Sequence, residues 1–220
     1  MELINKPTVR LITHAGSDIS AVNAARVSFD RQVEVLGIAD ERLVKYLAEH
    51  GHHSPFNHSF ISLQVEACIV VARQLVKHKF MPFNEVSRRY VDGPVEYFVP
   101  PVWRTASEDK KQGSGGPHEN QDFITEVYLQ SLERADEAYR TMIENGVAPE
   151  QARMVLPLGS MTKWYWSGTL GAVLDMLSLR LPGDAQVETH DVAKLILPYV
   201  KEQFPISTRA YLKAKGVSIE

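Results

Sequence analysis

From Ser59 to Ile69 the chain alternates without a break: Ile61, Leu63, Val65, Ala67 and Ile69 fall on one face, and Ser62, Gln64, Glu66 and Cys68 on the other. Successive side chains of a strand point to opposite faces, so this period predicts a half-buried antiparallel strand. The strand runs directly into a helix predicted over 70–79. The chain must therefore build a sheet with one covered face, and find helices to cover it.

The remaining segments supply them. A short strand is expected over 9–15, ended by Gly16. Asp18 or Ser20 can cap a helix over 21–29, where Val22, Ala25 and Phe29 recur at helical spacing. Asp40 can cap another over 41–50, with Leu43, Val44 and Leu47 as its apolar face and Gly51 as its stop. Short strands are expected over 95–99 and 162–167, and a long amphipathic helix over 122–145. Pro149 opens a helix at a position where its missing N–H is harmless, and that helix carries Arg153. Further helices are predicted over 170–181, from about 187 to 203, and after Pro205. The expected fold is α/β or α+β, with helices packed on a small, mainly antiparallel sheet. At 220 residues one domain is expected to span 1–220. The polar, glycine-rich stretch 104–120 reads as a flexible loop insertion, and its functional reading is a lid.

Several function classes are excluded by what the chain lacks. A net charge of −3 gives no global basic excess for nucleic acid. Cys68 is the single cysteine, too few for an intramolecular disulfide or a thiolate zinc site. The N-terminal stretch has neither the apolar core nor the cleavage site of a signal peptide, and no apolar run reaches membrane-spanning length. The expectation is a cytoplasmic protein with no membrane partner. Four histidines fall within 50–58 (His50, His52, His53 and His58). Their spacing matches no HExxH or zinc-finger pattern, and Pro55 forbids one helix carrying them all. No metal is expected there; the stretch reads as a polar loop serving a ligand or a neighbouring chain.

The chemistry concentrates in 72–90, ARQLVKHKFMPFNEVSRRY. Arg73, Lys77, His78, Lys79, Glu85, Arg88 and Arg89 are interleaved with apolar residues across a helix end and the segment after Pro82. Such a cluster can hold anionic groups through charge-assisted hydrogen bonds, which Arg makes bidentately. If the second half is extended, Glu85, Ser87 and Arg89 share a face. Arginines also end apolar segments at Arg73, Arg89, Arg153 and Arg180. Were these to converge, they would form a site for an anionic, hydrogen-bonding ligand such as a nucleotide.

Six stretches together resemble a known family: AARVSFD at 24–30, HGHHSPFNH at 50–58, the 72–90 segment, VEYFVPP at 95–101, ARMVLPL at 152–158 and LSLR at 177–180. Their order and spacing resemble the flavin-dependent thymidylate synthases (ThyX type) over most of the chain. That family's Arg-His-Arg, seven residues, then Ser, stands here as Lys77-His78-Lys79, seven residues, then Ser87. The resemblance implies a homotetramer with active sites shared between subunits, each holding FAD. It implies C5 methylation of dUMP to dTMP, with methylenetetrahydrofolate as carbon donor and NADPH as reductant.

It also implies residue roles. Arg180 corresponds to the arginine that faces the uracil carbonyl and favours ionisation at N3, the one catalytic assignment. Gln74, Lys77, Glu85, Val86, Ser87, Arg88, Arg89 and Arg153 correspond to nucleotide-binding positions. Ser28, His52, Ser54, Lys77, His78, Lys79, Glu85, Thr169, Leu170, Gly171 and Asp175 correspond to flavin-binding or site-lining positions. Departures are concentrated on the cofactor. Lysine at 77 and 79 keeps the charge but loses the planar fork. Where the family often carries Asn, Arg and Asn or His along its flavin helix, this chain has Thr169, Gly171 and Asp175. Alternatives therefore stand beside dUMP methylation: C5 methylation of UMP, hydroxymethylation of a pyrimidine nucleotide, and nucleotide or flavin binding without catalysis.

Overall fold

The computed structural model describes residues 1–91, 93–107, 113–183 and 185–219. In chain order the elements are β1 (Glu2–Ile4), β2 (Thr8–Ala15), α1 (Asp18–Arg26), α2 (Ile38–Glu49), β3 (Phe60–Cys68), α3 (Ile69–Leu75), β4 (Phe83–Glu85), β5 (Glu96–Phe98), α4 (Gln121–Glu144), α5 (Pro149–Ala152), β6 (Met161–Thr169), α6 (Leu170–Arg180), α7 (Val187–Gln203) and α8 (Pro205–Ala214). Short 3-10 turns occupy Val27–Phe29, Ser54–His58 and Arg153–Val155.

The alternating segment is β3, and it lies inside a four-stranded antiparallel sheet in the order β2-β3-β6-β4. Its register against β6 explains the pattern. Leu63 faces Trp166 and Val65 faces Trp164 on the covered side, all four shut off from solvent. On the other side Ser62 faces Ser167, Gln64 faces Tyr165 and Glu66 faces Lys163. The two serine hydroxyls bond at 2.7 Å, and the last pair is an ion pair. The covered face carries α6, α7 and α8 with α1 and α2 in one core. α6 is apolar nearly all round: Leu170, Val173, Leu174, Met176 and Leu177 have no exposed surface. A helix of that kind is buried, so its few polar residues must have a reason. A second apolar cluster joins Val95 and Tyr97 to Leu132 and Tyr139 of α4, beside a parallel pairing of β1 with β5 that the sequence reading did not include.

Other expectations shift by local chemistry. Ser17 caps α1, its hydroxyl accepting from Ile19 N–H while Ser20 accepts from Ser17 N–H, the reciprocal pattern of a capping box. Asp18, expected as a cap for its own helix, caps another: its carboxylate accepts from Ile206 N–H and Ser207 N–H, both at 2.8 Å, in the first turn of α8. The helix expected over 70–79 ends at Leu75, and the Lys77–Phe80 segment turns, with Phe80 at φ 62°. Arg153 stands in a 3-10 turn rather than on the helix opened by Pro149. The arms of the 104–120 stretch pair with each other through Thr105 N–H to Gly116 O and Gly115 N–H to Thr105 O. Residues 108–112 of that expected loop lie outside the described residues. No helix among the described residues is long and apolar enough to cross a membrane.

Candidate functional site

The residues singled out in the sequence divide among three places, and the four arginines do not meet. The first place is a cleft of about 560 Å³ where β4 runs along the start of β6. Its wall is Glu85, Val86, Ser87, Arg88 and Arg89, joined by Arg153 from the 3-10 turn and by Glu66, Thr162 and Lys163 of the sheet. β4 pairs with β6 only as far as Glu85, so Glu85, Ser87 and Arg89 do not form the extended row that alternation suggested. After Val86 the chain turns, and the Ser87 hydroxyl accepts from both the N–H and Nε of Arg89, each at 3.3 Å. Of the three carboxylates lining the cleft, Glu85 accepts from the Thr162 hydroxyl at 2.7 Å, Glu66 pairs with Lys163, and Glu96 has no ion-pair partner among the described residues. Arg88 is committed to backbone, donating to Gly93 O and Pro94 O at 2.5 and 2.8 Å. Arg89 and Arg153 remain, exposed, and among the described residues neither has a carboxylate partner. Two guanidiniums with no ion-pair partner among the described residues and a serine hydroxyl line one cleft and can bind an anion.

A second cleft, about 570 Å³, shares no lining residue with the first. Arg180 stands at the end of α6 beside Gln74 of α3, Arg104, Ser114 and Gln186. Arg180 is half-buried, and its Nε donates to His78 Nε2 at 2.9 Å. An imidazole nitrogen that accepts carries no proton. Burial first, and then the Arg180 charge, lower His78 to about 4, against a smaller upward pull from Asp175. Neutral His78 thus fixes one edge of the guanidinium and leaves the other to the cleft. Gln74 is set similarly: its carbonyl accepts from the Thr189 hydroxyl, leaving its amide N–H groups to donate. Arg104, which sequence reasoning missed, pairs with Glu188 and donates to Ser114 Oγ, both at 2.6 Å. Its signal was only one more arginine at the edge of a polar loop.

The third place is the N-terminal end of α6. Thr169 caps the helix, its hydroxyl accepting from Ala172 N–H, and donates to Asn57 Oδ1 at 2.7 Å. Asn57 lies over Gly171 so closely that an added Cβ would collide with its amide. No side chain, and so no arginine, can stand at 171 while Asn57 keeps this place. The turn at Lys77–Phe80 comes up beside it: Phe80 O would be 3.5 Å from a Cβ on Gly168. Lys77 and Lys79 are exposed and have no carboxylate partner among the described residues. Ser54 is exposed at the start of the turn that carries Asn57. Leu170, expected to line the cofactor, is wholly buried, so its side chain has no surface to offer. Ser28 is exposed on the 3-10 turn after α1, and Arg73 is exposed on α3. His52 stacks near Tyr46, which also carries His50. His53 was anticipated only as one histidine of a polar loop serving a ligand or a neighbouring chain, and Asn57 and Tyr211 not as site residues; Tyr211 sits at an apolar position of an amphipathic helix, where an aromatic reads as core.

The sequence matches the family described as thymidylate synthase complementing protein over residues 10–206. It is 34% identical over 215 residues to the flavin-dependent thymidylate synthase of Kosmotoga olearia, covering 96% of this chain and 93% of that one. It is 37% identical over 210 residues to a flavin-dependent thymidylate synthase of Thermus thermophilus, covering 95% and 77%. Among solved structures it is similar to the UMP/dUMP methylase PolB from Streptomyces cacaoi bound with 5-Br dUMP, with a TM-score of 0.89, 29% identity and full coverage of both chains. The same protein bound with 5-Br UMP gives a TM-score of 0.88 at 28% identity, covering 99% of each chain.

Proposed function

The chain belongs to the flavin-dependent thymidylate synthase family, and from that premise we propose that it catalyses the reductive methylation of dUMP at C5 to dTMP. Methylenetetrahydrofolate is the carbon donor, and FAD, reduced by NADPH, supplies the hydride that completes the methyl group. The observation that carries this reading is the first cleft, where Ser87, Arg89 and Arg153 offer hydrogen bonds and two free positive charges to a phosphate.

The other two places take the rest of the chemistry. Arg180 faces a pyrimidine carbonyl and stabilises the negative charge that spreads onto that oxygen as N3 ionises; a cation already fixed by His78 needs no reorganisation to do so. Gln74 donates to the same ring from the wall beside Arg180. Ser87 acts as a hydrogen-bonding residue, since it bonds Arg89 and no imidazole. The donor set at the head of α6 suits FAD. Lys77 and Lys79 would hold its pyrophosphate, and the Ser54 and Thr169 hydroxyls with the Asn57 amide would hold its polar edges. Neutral amide and hydroxyl groups replace the arginine that Asn57 excludes.

Phosphate cations and pyrimidine cation line separate clefts of one chain. The reading that unites them is a homotetramer in which the phosphate cleft of one subunit meets the Arg180 cleft of another. A cytoplasmic location belongs to the same reading. UMP is the second substrate reading, because the similar solved protein is a UMP/dUMP methylase bound with analogues of both nucleotides. The test is product formation from dUMP or UMP with methylenetetrahydrofolate, NADPH and FAD under anaerobic conditions. The expected result is dTMP from dUMP. No methylated product from either nucleotide would defeat the proposal, and faster turnover of UMP would move it to the second reading.

A further inference from the structure

Three polar groups on α6, α8 and the turn before β3 form a line that the roles above leave unused. Tyr211 is buried, at 2% exposure, with its ring edge-on to Phe56 at 5.2 Å and to His53 at 5.7 Å. Its hydroxyl lies 2.8 Å from Asp175 Oδ1 and 2.6 Å from His53 Nδ1. Asp175 stands one turn beyond Gly171 on the same face of α6. Asn57, in the turn that begins just after His53, covers Gly171. The line therefore runs along the face of α6 where the cofactor is read to bind, and ends at an exposed imidazole.

Proton count fixes its direction. A phenol has one proton and a carboxylate only accepts, so Tyr211 donates to Asp175. Its oxygen must then accept from His53, which puts a proton on Nδ1; in the neutral imidazole the lone pair is then on Nε2. Burial and the neighbouring carboxylate push the Tyr211 phenol well up, so it keeps the proton this arrangement needs. With the Nδ1 edge turned to a buried phenol, the Nε2 edge faces outward.

We propose that His53 is a hydrogen-bond acceptor for an N–H or O–H group of the flavin, and that Tyr211, anchored by Asp175, is the residue that positions it. The inference rests on the reading of this end of α6 as the flavin site. It explains why an acid stands at 175: the carboxylate is turned inward to orient a phenol, and the group offered outward is a neutral acceptor. His53→Asn keeps a donor toward Tyr211 and removes the outer nitrogen, while Tyr211→Phe frees the ring to turn.

The test combines two measurements on the full-length protein. Imidazole nitrogen NMR reads the tautomer: wild type should show the Nδ1–H form of His53, and Tyr211→Phe should lose it. FAD titration by fluorescence quenching reads binding: both variants should bind about tenfold more weakly than wild type, the worth of one lost hydrogen bond. His53→Asn changes an exposed side chain, so its result stands even if Tyr211→Phe folds poorly. An Nε2–H tautomer in wild type overturns the proposal, as does undiminished FAD affinity in His53→Asn. Wild-type protein that takes up no FAD overturns the flavin reading itself, and this inference with it.

Discussion

His78 accepts a hydrogen bond from Arg180, and it can do so only while neutral. Its value of about 4 lies below the ordinary 6.5, chiefly through burial and secondly through the guanidinium. The sign for stability follows. Above 6.5 neither folded nor unfolded chain holds the proton, and the folded state has its full stability. As pH falls from 6.5 toward about 4 the unfolded chain takes the proton first, and stability is lost across that window. An NMR titration should place His78 near 4, and Arg180→Ala should raise it. A wild-type value near 6.5 would mean that the pair is open in solution. The two arginine clefts predict different kinetic failures. Arg89→Ala and Arg153→Ala should each raise the nucleotide KM by roughly 10- to 100-fold, because each removes charged hydrogen bonds made equally in ground and transition states. Arg180→Ala should lower kcat by about 100- to 1000-fold, as loss of a donor to developing charge does. Steady-state rates at varied nucleotide concentration separate the two. Equal effects on KM from all three would remove the catalytic role of Arg180.

Elements were legible where one period governed them. β3 announced itself because its covered face meets the tryptophans of β6 and its other face meets polar partners, so burial wrote the alternation into the sequence. α7 was equally plain. β1 was not: three residues carry no period, and its partner β5 lies more than ninety positions away. Caps were misassigned for a related reason. Ser17, Asp18 and Ser20 are all able to cap α1, and only the tertiary structure assigns Asp18 to the first turn of α8. That assignment makes a prediction. Asp18 is buried, and Asp18→Ala strips two backbone N–H groups of a charged acceptor. The loss should be about 3 kcal/mol, read by urea unfolding as a lower midpoint at unchanged slope. A loss below about 0.5 kcal/mol, typical of a surface substitution, would mean that water replaces the carboxylate at no cost.

At the scale of the whole molecule, the sequence made the arginines visible as cations at the ends of apolar segments, but gave no distance between them. Arg89 and Arg153 do come together; Arg180 turns into another cleft, and Arg73 into solvent. The polar loop carrying His53 was legible, but Asn57, Tyr211 and the His53–Tyr211 pairing stayed hidden because they depend on packing between elements distant in sequence. The separation of the clefts is also what makes a shared site testable. Assayed at a nucleotide concentration near the wild-type KM, Arg153→Ala through its raised KM and Arg180→Ala through its lowered kcat should each retain little activity alone. If a site takes Arg153 from one subunit and Arg180 from its neighbour, mixed oligomers contain some sites with both arginines intact. Random mixing of equal amounts, by joint unfolding and refolding, should restore about a quarter of wild-type activity, since each half of a site is intact with even odds. Each variant refolded alone is the control. If one chain closes on itself to form the site, every site in the mixture still lacks one arginine, and activity stays at the mean of the two variants. Recovery therefore requires both that subunits associate and that the phosphate cleft of one faces the Arg180 cleft of the next.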